Sequence, residues 1–561
     1  MATNDDSAQD DVARRRGYQG MFDPLIAHHS RLLDPTKATK LGDEVFDTTL
    51  YVADRVLVRG TPVDNGGLDT FQKWCAERGY TLTPDPVQRE LYDRARQFLD
   101  DGSLGGSWVT PARITPDPGR ALAVDAWALI QEWRASRDAQ DTRAQGLVGL
   151  DHLMFANAVV GQTMTYGGTM TYGGTMTYGG TMTYGGSARA QYVVQGSGGL
   201  TPVAYAGPWP VRDPKLPRRP RVAVLDTGVG EHPWWPAASG IVTVRPGPIG
   251  AEPEGTGDVH DRLEGTLDDH SGHGTFITGL VHQTCPDADI LMVQVMESDG
   301  YVPEGDMVNA VLDLAILHRM GTHIDVLSMS FGYYHEAPDD VRTDASLGQA
   351  LGALADAGTL LVASAGNDAT TRRMFPAALD SRPDHKPLNV VAVGARNPNG
   401  TVALFSNDGD WVDCHELGAS VLSTLPVTFD ASLEPTARTT FPAGTVRETI
   451  DPDDFQGGFG VWSGTSFAAP IVAGRLAADL LDRWTRSTGP RGPRPLTSRQ
   501  RVVAAVGKGA VAATAAAGTT SAGPATAKRA TAKKATAKKA TANMATAKRA
   551  TRRRATRSGT A

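Results

Sequence analysis

Cysteine is scarce: three residues in 561, Cys75, Cys285 and Cys414. They are too few and too scattered for a disulfide framework or a CxxC metal knuckle, which argues against zinc held by cysteines and suits a reducing compartment. Long apolar runs are missing too. No stretch approaches the ~18 residues of a membrane span, so no membrane partner is expected. Residues 1–20 read MATNDDSAQDDVARRRGYQG, and no apolar segment follows Arg14, Arg15 and Arg16. That leader does not have the form of an export signal. A polar leader over 1–44 and a cytoplasmic location are expected, with secretion by a non-standard route as the alternative. Acidic residues are absent from 521–561, which carry 12 Lys/Arg. The remaining 520 residues hold 43 basic and 62 acidic side chains, a net of −19. Body and tail therefore suit different partners.

What is present suffices for large cores. Forty per cent of residues are apolar and 21% are charged, as in globular chains. The length is about four typical domains. Over 45–155 a small α+β module is expected. Val56–Val58 suits a strand, while Leu68, Phe71, Trp74, Cys75 and Arg78 recur at near-helical spacing before Gly79. Ala126, Leu129, Ile130 and Trp133 mark a second helix at about 124–135, and Gly149–Phe155 a final strand. The order is that of a ferredoxin-like motif. Four copies of Thr-Met-Thr-Tyr-Gly-Gly fill 163–186. Two glycines per six residues cannot hold a helix, so 156–219 reads as a linker. Over 220–487, apolar strands (Val222–Leu225, Ile324–Ser328, Leu360–Ala363, Asn389–Val393) alternate with helical stripes. This is the pattern of an α/β domain with a doubly wound, mostly parallel sheet covered on both faces. A disordered tail is expected over 488–561; from Ala525 it repeats ATAKR-like units with no aromatic or branched aliphatic residue to bury.

Three segments place candidate reactive groups at element edges. Val224-Leu-Asp226-Thr-Gly228 ends a buried strand, where open α/β sheets place their ligands. His270-Ser-Gly-His273-Gly-Thr275 and Ser463-Gly-Thr-Ser466-Phe-Ala-Ala-Pro470 each precede an apolar, helical run. A serine hydroxyl needs a base to become a nucleophile at neutral pH. Histidine can take that proton and return it to a leaving amine, and a buried carboxylate fixes the imidazole tautomer. A serine at a helix N-terminus adds a backbone N–H for a developing oxyanion. Ala363-Ser364-Ala365-Gly366-Asn367 follows a strand and could supply a second, side-chain donor. Ser328-Met-Ser330-Phe331-Gly332 could pair with an extended peptide by strand addition.

These motifs, in the order Asp, His, Asn, Ser, resemble those of the subtilisin-like serine proteases (the subtilase family, peptidase family S8). The resemblance spans about 220–485. It implies a serine endopeptidase acting through an acyl-enzyme, with Asp226, His273 and Ser466 as catalytic triad and Asn367 as oxyanion donor. By the same carry-over Ser330, Phe331, Gly332, Ser364, Ala365 and Gly366 flank the pocket for the residue before the scissile bond (P1), and Gly300 and Tyr301 lie on the opposite wall of the groove. Small apolar pocket walls suggest a P1 preference for medium or large apolar side chains. Protein or peptide substrates follow. Family members often bind structural calcium, but no ligand set is visible here, and no metal or other cofactor is expected. The position of 45–155 resembles a propeptide that blocks the active site until cut, so self-cleavage is expected between about 156 and 220.

A second reading starts from the tail. Its spaced Lys/Arg resemble the tails of histone-like nucleoid proteins and suit nonspecific nucleic acid or another polyanion. The chain would then be a polyanion- or DNA-binding scaffold with a silent protease-like domain. The stretches 244–268 and 426–462 also look extended, and either could reshape access to the groove.

Overall fold

The computed structural model describes residues 28–38, 45–63, 67–98, 108–136, 147–158, 192, 198–247, 267–337, 346–381 and 388–486. The Thr-Met-Thr-Tyr-Gly-Gly repeats, most of 244–268, the first 27 residues and the tail lie outside them, as do the expectations placed there. The described residues all belong to a compact unit of residues 1–506.

The N-terminal module has five strands: β1 (Ser30–Leu33), β2 (Thr49–Arg59), β3 (Tyr80–Pro84), β4 (Val109–Pro116) and β5 (Val148–Ala156). Its helices are α1 (Gly67–Glu77), α2 (Val87–Phe98) and α3 (Ala126–Ala135). The antiparallel order β5-β2-β4-β3 is the ferredoxin-like arrangement, with α2 inserted between β3 and β4 and β1 added beside β2. Helix α1 buries Leu68, Phe71, Trp74 and Cys75, the stripe its spacing predicts. Asp125 caps α3 by accepting from the Trp127 amide at 3.1 Å. Around Phe71, Trp74 and Trp133 the module has its own aromatic core, with Trp133 edge-on to the other two rings.

Past β6 (Thr201–Pro202), the body sheet is built from β7 (Arg221–Asp226), β8 (Val242–Arg245), β9 (Asp289–Gln294), β11 (Val326–Met329), β13 (Leu360–Ser364), β14 (Val390–Arg396) and β15 (Cys414–Leu417). All neighbours are parallel, in the order β15-β14-β13-β11-β7-β9-β8. Four helices join it: α4 (His273–Thr284), α5 (Glu304–Arg319), α6 (Ser346–Asp356) and α7 (Thr465–Arg486). Buried on both faces, the strands are near-continuous apolar runs, as parallel sheets require. Short strands β10 (Tyr301–Pro303) and β12 (Phe331–Gly332) leave this sheet and clasp β5 of the module between them, antiparallel on both sides. The stretch 426–462 carries a hairpin, β17 (Arg438–Thr440) with β18 (Val446–Glu448), both fully exposed. Strand β19 (Phe459–Trp462) then pairs with β16 (Val421–Thr424) and β6 and delivers the chain to α7.

Candidate active site

Three element ends converge. Asp226 is the last residue of β7, His273 the first of α4, and Ser466 the second of α7. All three are fully buried. His273 Nδ1 and Asp226 Oδ1 stand 2.7 Å apart, a charge-assisted contact that fixes the ring. The Asp226 carboxylate is also anchored to its own turn, Oδ1 accepting from the Thr227 amide at 2.9 Å. His273 Nε2 is buried and has no hydrogen-bond partner among the described residues. The Ser466 hydroxyl donates to the Ser330 carbonyl at 3.0 Å instead. Serine and imidazole are thus not hydrogen-bonded to each other here.

The start of α7 is tied to the sheet through a proline effect. Pro470 has no N–H to give the Ser466 carbonyl four residues earlier. The Ser330 hydroxyl donates to that carbonyl at 2.9 Å. Asn367 completes the clamp: its Oδ1 accepts from both the amide and the hydroxyl of Thr465, each at 2.9 Å. The outer end of that amide, Nδ2, donates to the carbonyl oxygen of Asn157. The Ser466 backbone N–H donates to the same oxygen at 3.2 Å. One carbonyl of the chain thus receives two donors, one from a side chain and one from a helix N-terminus.

That carbonyl belongs to the two residues following β5. Strand β5 runs in register with both clasping strands, Phe155 opposite Tyr301 and Gly332, and Ala156 opposite Phe331. The Ala156 amide donates to the Gly300 carbonyl at 2.8 Å, and the Asn157 amide to the Ser330 carbonyl at 2.9 Å. Ala158 then bridges to Gly464 across the site. A Cβ at Gly464 would stand 2.5 Å from the Asn157 oxygen, so only glycine admits the crossing chain. The Asn157 side chain is buried, and its Nδ2 donates to the Ser364 hydroxyl at 2.8 Å. Gly300, Tyr301, Ser330, Phe331, Gly332 and Ser364 therefore all meet residues 155–157. Gly366 and Ala365 stand behind them: the Gly366 amide donates to the Thr465 hydroxyl at 3.1 Å, and the Ala365 carbonyl accepts from Asn407 at 2.8 Å. The expected strand end at 155 falls two residues short of the segment in the site. Residues 156 and 157 are held in the groove by backbone hydrogen bonds to Gly300 and Ser330, which composition does not record.

Charged groups lock β5 in place. Arg55 of β2 reaches Asp306 through two bonds of 2.9 and 3.1 Å and Asp151 of β5 at 3.1 Å. On β5, His152 Nδ1 lies 2.6 Å from Glu304 and its Nε2 lies 2.7 Å from Glu336. Burial alone would lower the His152 pKa, but the carboxylates of Glu336 and Glu304 raise it to about 10, so the ring is an imidazolium at neutral pH. Burial raises Asp151, against the pull of Arg55. Glu336 is pushed up by burial and down, more strongly, by His335 and His152. Among the described residues, His152, His335 and Glu336 make the one close group with metal-ligand types. Both His152 nitrogens already face carboxylates, and imidazole is a poor ligand for calcium, so the group does not fit that ion.

Residues 218–550 match the model of the subtilase family of S8 peptidases, and the chain belongs to that family. The expected domain end at 487 falls inside the match. Subtilisin BL of Lederbergia lenta is 29% identical over 229 residues, covering 39% of this chain and 71% of that protein. An alkaline protease of Alkalihalobacillus alcalophilus is 26% identical over 265 residues, 44% of this chain and 60% of its own. Mycosin-4 of Mycobacterium tuberculosis is 28% identical over 48% of this chain and 57% of its own. The chain thus spans under two thirds of the latter two relatives. Among solved structures, fervidolysin from Fervidobacterium pennivorans, a keratinolytic enzyme related to subtilisin, aligns at 17% identity over 80% of this chain and 56% of its own, with TM-score 0.43. A lanthipeptide protease aligns at 21% identity over 50% of this chain and 78% of its own, with TM-score 0.36. Those scores are low, and the family match carries the assignment.

Proposed function

We propose that the protein is a serine endopeptidase zymogen with Asp226, His273 and Ser466 as its triad, and that its first substrate is its own peptide bond between Asn157 and Ala158. One observation carries the reading: the Asn157 carbonyl oxygen accepts both the Ser466 amide and the Asn367 side chain, the place and donors an oxyanion needs. The bonds of β5 to β10 and β12 hold the segment extended across the nucleophile as a substrate would lie.

The chemistry follows from the groups. Rotation about the Ser466 Cα–Cβ bond takes the hydroxyl from the Ser330 carbonyl towards the free Nε2 of His273. His273 removes the proton as Oγ attacks the Asn157 carbonyl carbon, and Asp226 stabilises the imidazolium. The negative charge that develops on oxygen meets the two donors already in place. The Asn157–Ala158 bond then breaks, His273 protonates the Ala158 amine, and Asn157 remains as an ester on Ser466. Water releases it by the reverse sequence. The N-terminal fragment ending at Asn157 would stay docked as an inhibitory product until it dissociates.

Incubating the purified full chain and sequencing new N-termini tests this. The expected new terminus is Ala158-Val-Val-Gly-Gln, and a Ser466→Ala chain is expected to stay intact. Identical fragments from that variant, or a first cut away from 157/158, would defeat the reading.

A further inference from the structure

The walls of the P1 pocket are set by family motifs, but its floor is not. Met374, outside every motif, is fully buried and its sulfur accepts from the Asn157 side-chain Nδ2 at 3.5 Å. It is wedged between two wall glycines. A Cβ at Gly332 would meet Met374 Cγ at 2.6 Å, and one at Gly366 would meet its sulfur at 2.6 Å. Met374 therefore packs against both walls and closes the pocket at the end of the Asn157 side chain. At the same depth the Asn157 side-chain Nδ2 donates to the Ser364 hydroxyl at 2.8 Å, while its Oδ1 is buried with no partner among the described residues.

Resting on the endopeptidase reading above, we infer that this pocket is built for a short carboxamide, so that the matured enzyme cleaves after asparagine, with Met374 excluding large side chains and Ser364 reading the amide. A phenylalanine ring would reach past the depth at which Met374 Sδ meets Asn157 Nδ2. Leucine matches asparagine in branching and reach but leaves the buried Ser364 hydroxyl unpaired, a loss of about tenfold or more. Aspartate is disfavoured differently: its carboxylate would be buried against one hydroxyl and a thioether, without a cation. This reverses the apolar preference expected from small walls, which takes no account of how deep the pocket runs.

The test uses fluorogenic peptides Leu-Met-Phe-Ala-Xaa-coumarylamide, copying residues 153–156, with Xaa as Asn, Leu or Phe. The enzyme is full chain incubated until processed. kcat/KM for Asn is expected to exceed Leu at least tenfold and Phe at least a hundredfold. Met374→Gly should raise Phe relative to Asn by at least tenfold, and Ser364→Ala should bring Asn and Leu within about threefold. These are ratios within one preparation, so partial misfolding of a variant does not disturb them. Phenylmethylsulfonyl fluoride labelling of Ser466 separates the two possible failures. An enzyme that labels but prefers Phe, shows no preference or cleaves none of the three overturns the pocket assignment alone. One that neither labels nor cleaves overturns the endopeptidase reading, and this inference with it.

Discussion

Asn367 works through both ends of one amide. Its oxygen holds the Thr465 turn and its nitrogen meets the carbonyl of the bound segment. Removing it should slow the chemical step while substrate still binds, because the strand contacts to β10 and β12 remain. We expect Asn367→Ala to lower kcat by about 10²–10³-fold, a magnitude carried over from subtilisin, with KM changed little. Steady-state kinetics on a P1-Asn peptide checks it; a loss under tenfold, or one seated in KM, would remove Asn367 from the oxyanion site. Residues of this kind are legible in sequence because chemistry dictates their type and the adjoining strand or helix dictates their place. Asp226, His273, Asn367 and Ser466 all sit at element ends that apolar runs announce. Asn157 and Met374 were not legible. Their roles arise from β5 pairing with strands about 150 residues or more distant, and from side chains that touch only after the sheets assemble. An asparagine past a strand end or a methionine in a loop carries no local mark.

Helix α2 shows what patterning misses one level up. Its buried face is Gln88, Leu91, Tyr92 and Ala95, only three of them apolar, on a strongly polar helix. The expected helices α1 and α3 bury four or more large groups and stand out accordingly. The difference is one of role. Leu91, Tyr92 and Ala95 belong to the core of the body, with Met307, Val308 and Val311 of α5, and not to the module's own core. Around them Gln88 bonds to Asn309 and Arg94 pairs with Asp313 at 2.9 Å. An interface helix of this design needs polar groups at its rim, which blurs the 3.6-residue stripe. Leu91→Ala should therefore loosen docking and leave the module folded. Truncating a buried leucine costs about 2–5 kcal/mol. After cleavage at 157/158 we expect the variant's module to be lost at least tenfold faster, read as earlier onset of peptidase activity in a full-chain incubation. Unchanged onset would mean that α2 contributes nothing to retention.

At the scale of the whole molecule, charge decides how long the cut module stays. Its net charge says little, because the groups that matter are single buried ones. His152 is held as an imidazolium by Glu336 and Glu304, with His335 and the Tyr333 hydroxyl beside them. Its pKa is about 10 when docked and about 6.5 when free and exposed. A pKa raised by docking means that docking binds a proton once the free ring has lost its own. The contribution is full below about pH 6.5 and fades as pH climbs towards 10. Asp151 acts in the same direction, since burial raises it and docking is favoured where it is protonated. Neighbouring Glu336 is lowered, so it stays ionised throughout that window. Alkaline conditions should therefore free the module. We expect processed full chain at pH 6 to keep the N-terminal fragment ending at Asn157 bound through gel filtration, and at pH 9.5 to shed it at least tenfold faster. His152→Gln can donate one hydrogen bond but carries no charge to lose, so its release should start faster and vary little over the same range. A variant that keeps the wild-type pH profile would show that the imidazolium between the two glutamates is not what holds the module in the groove.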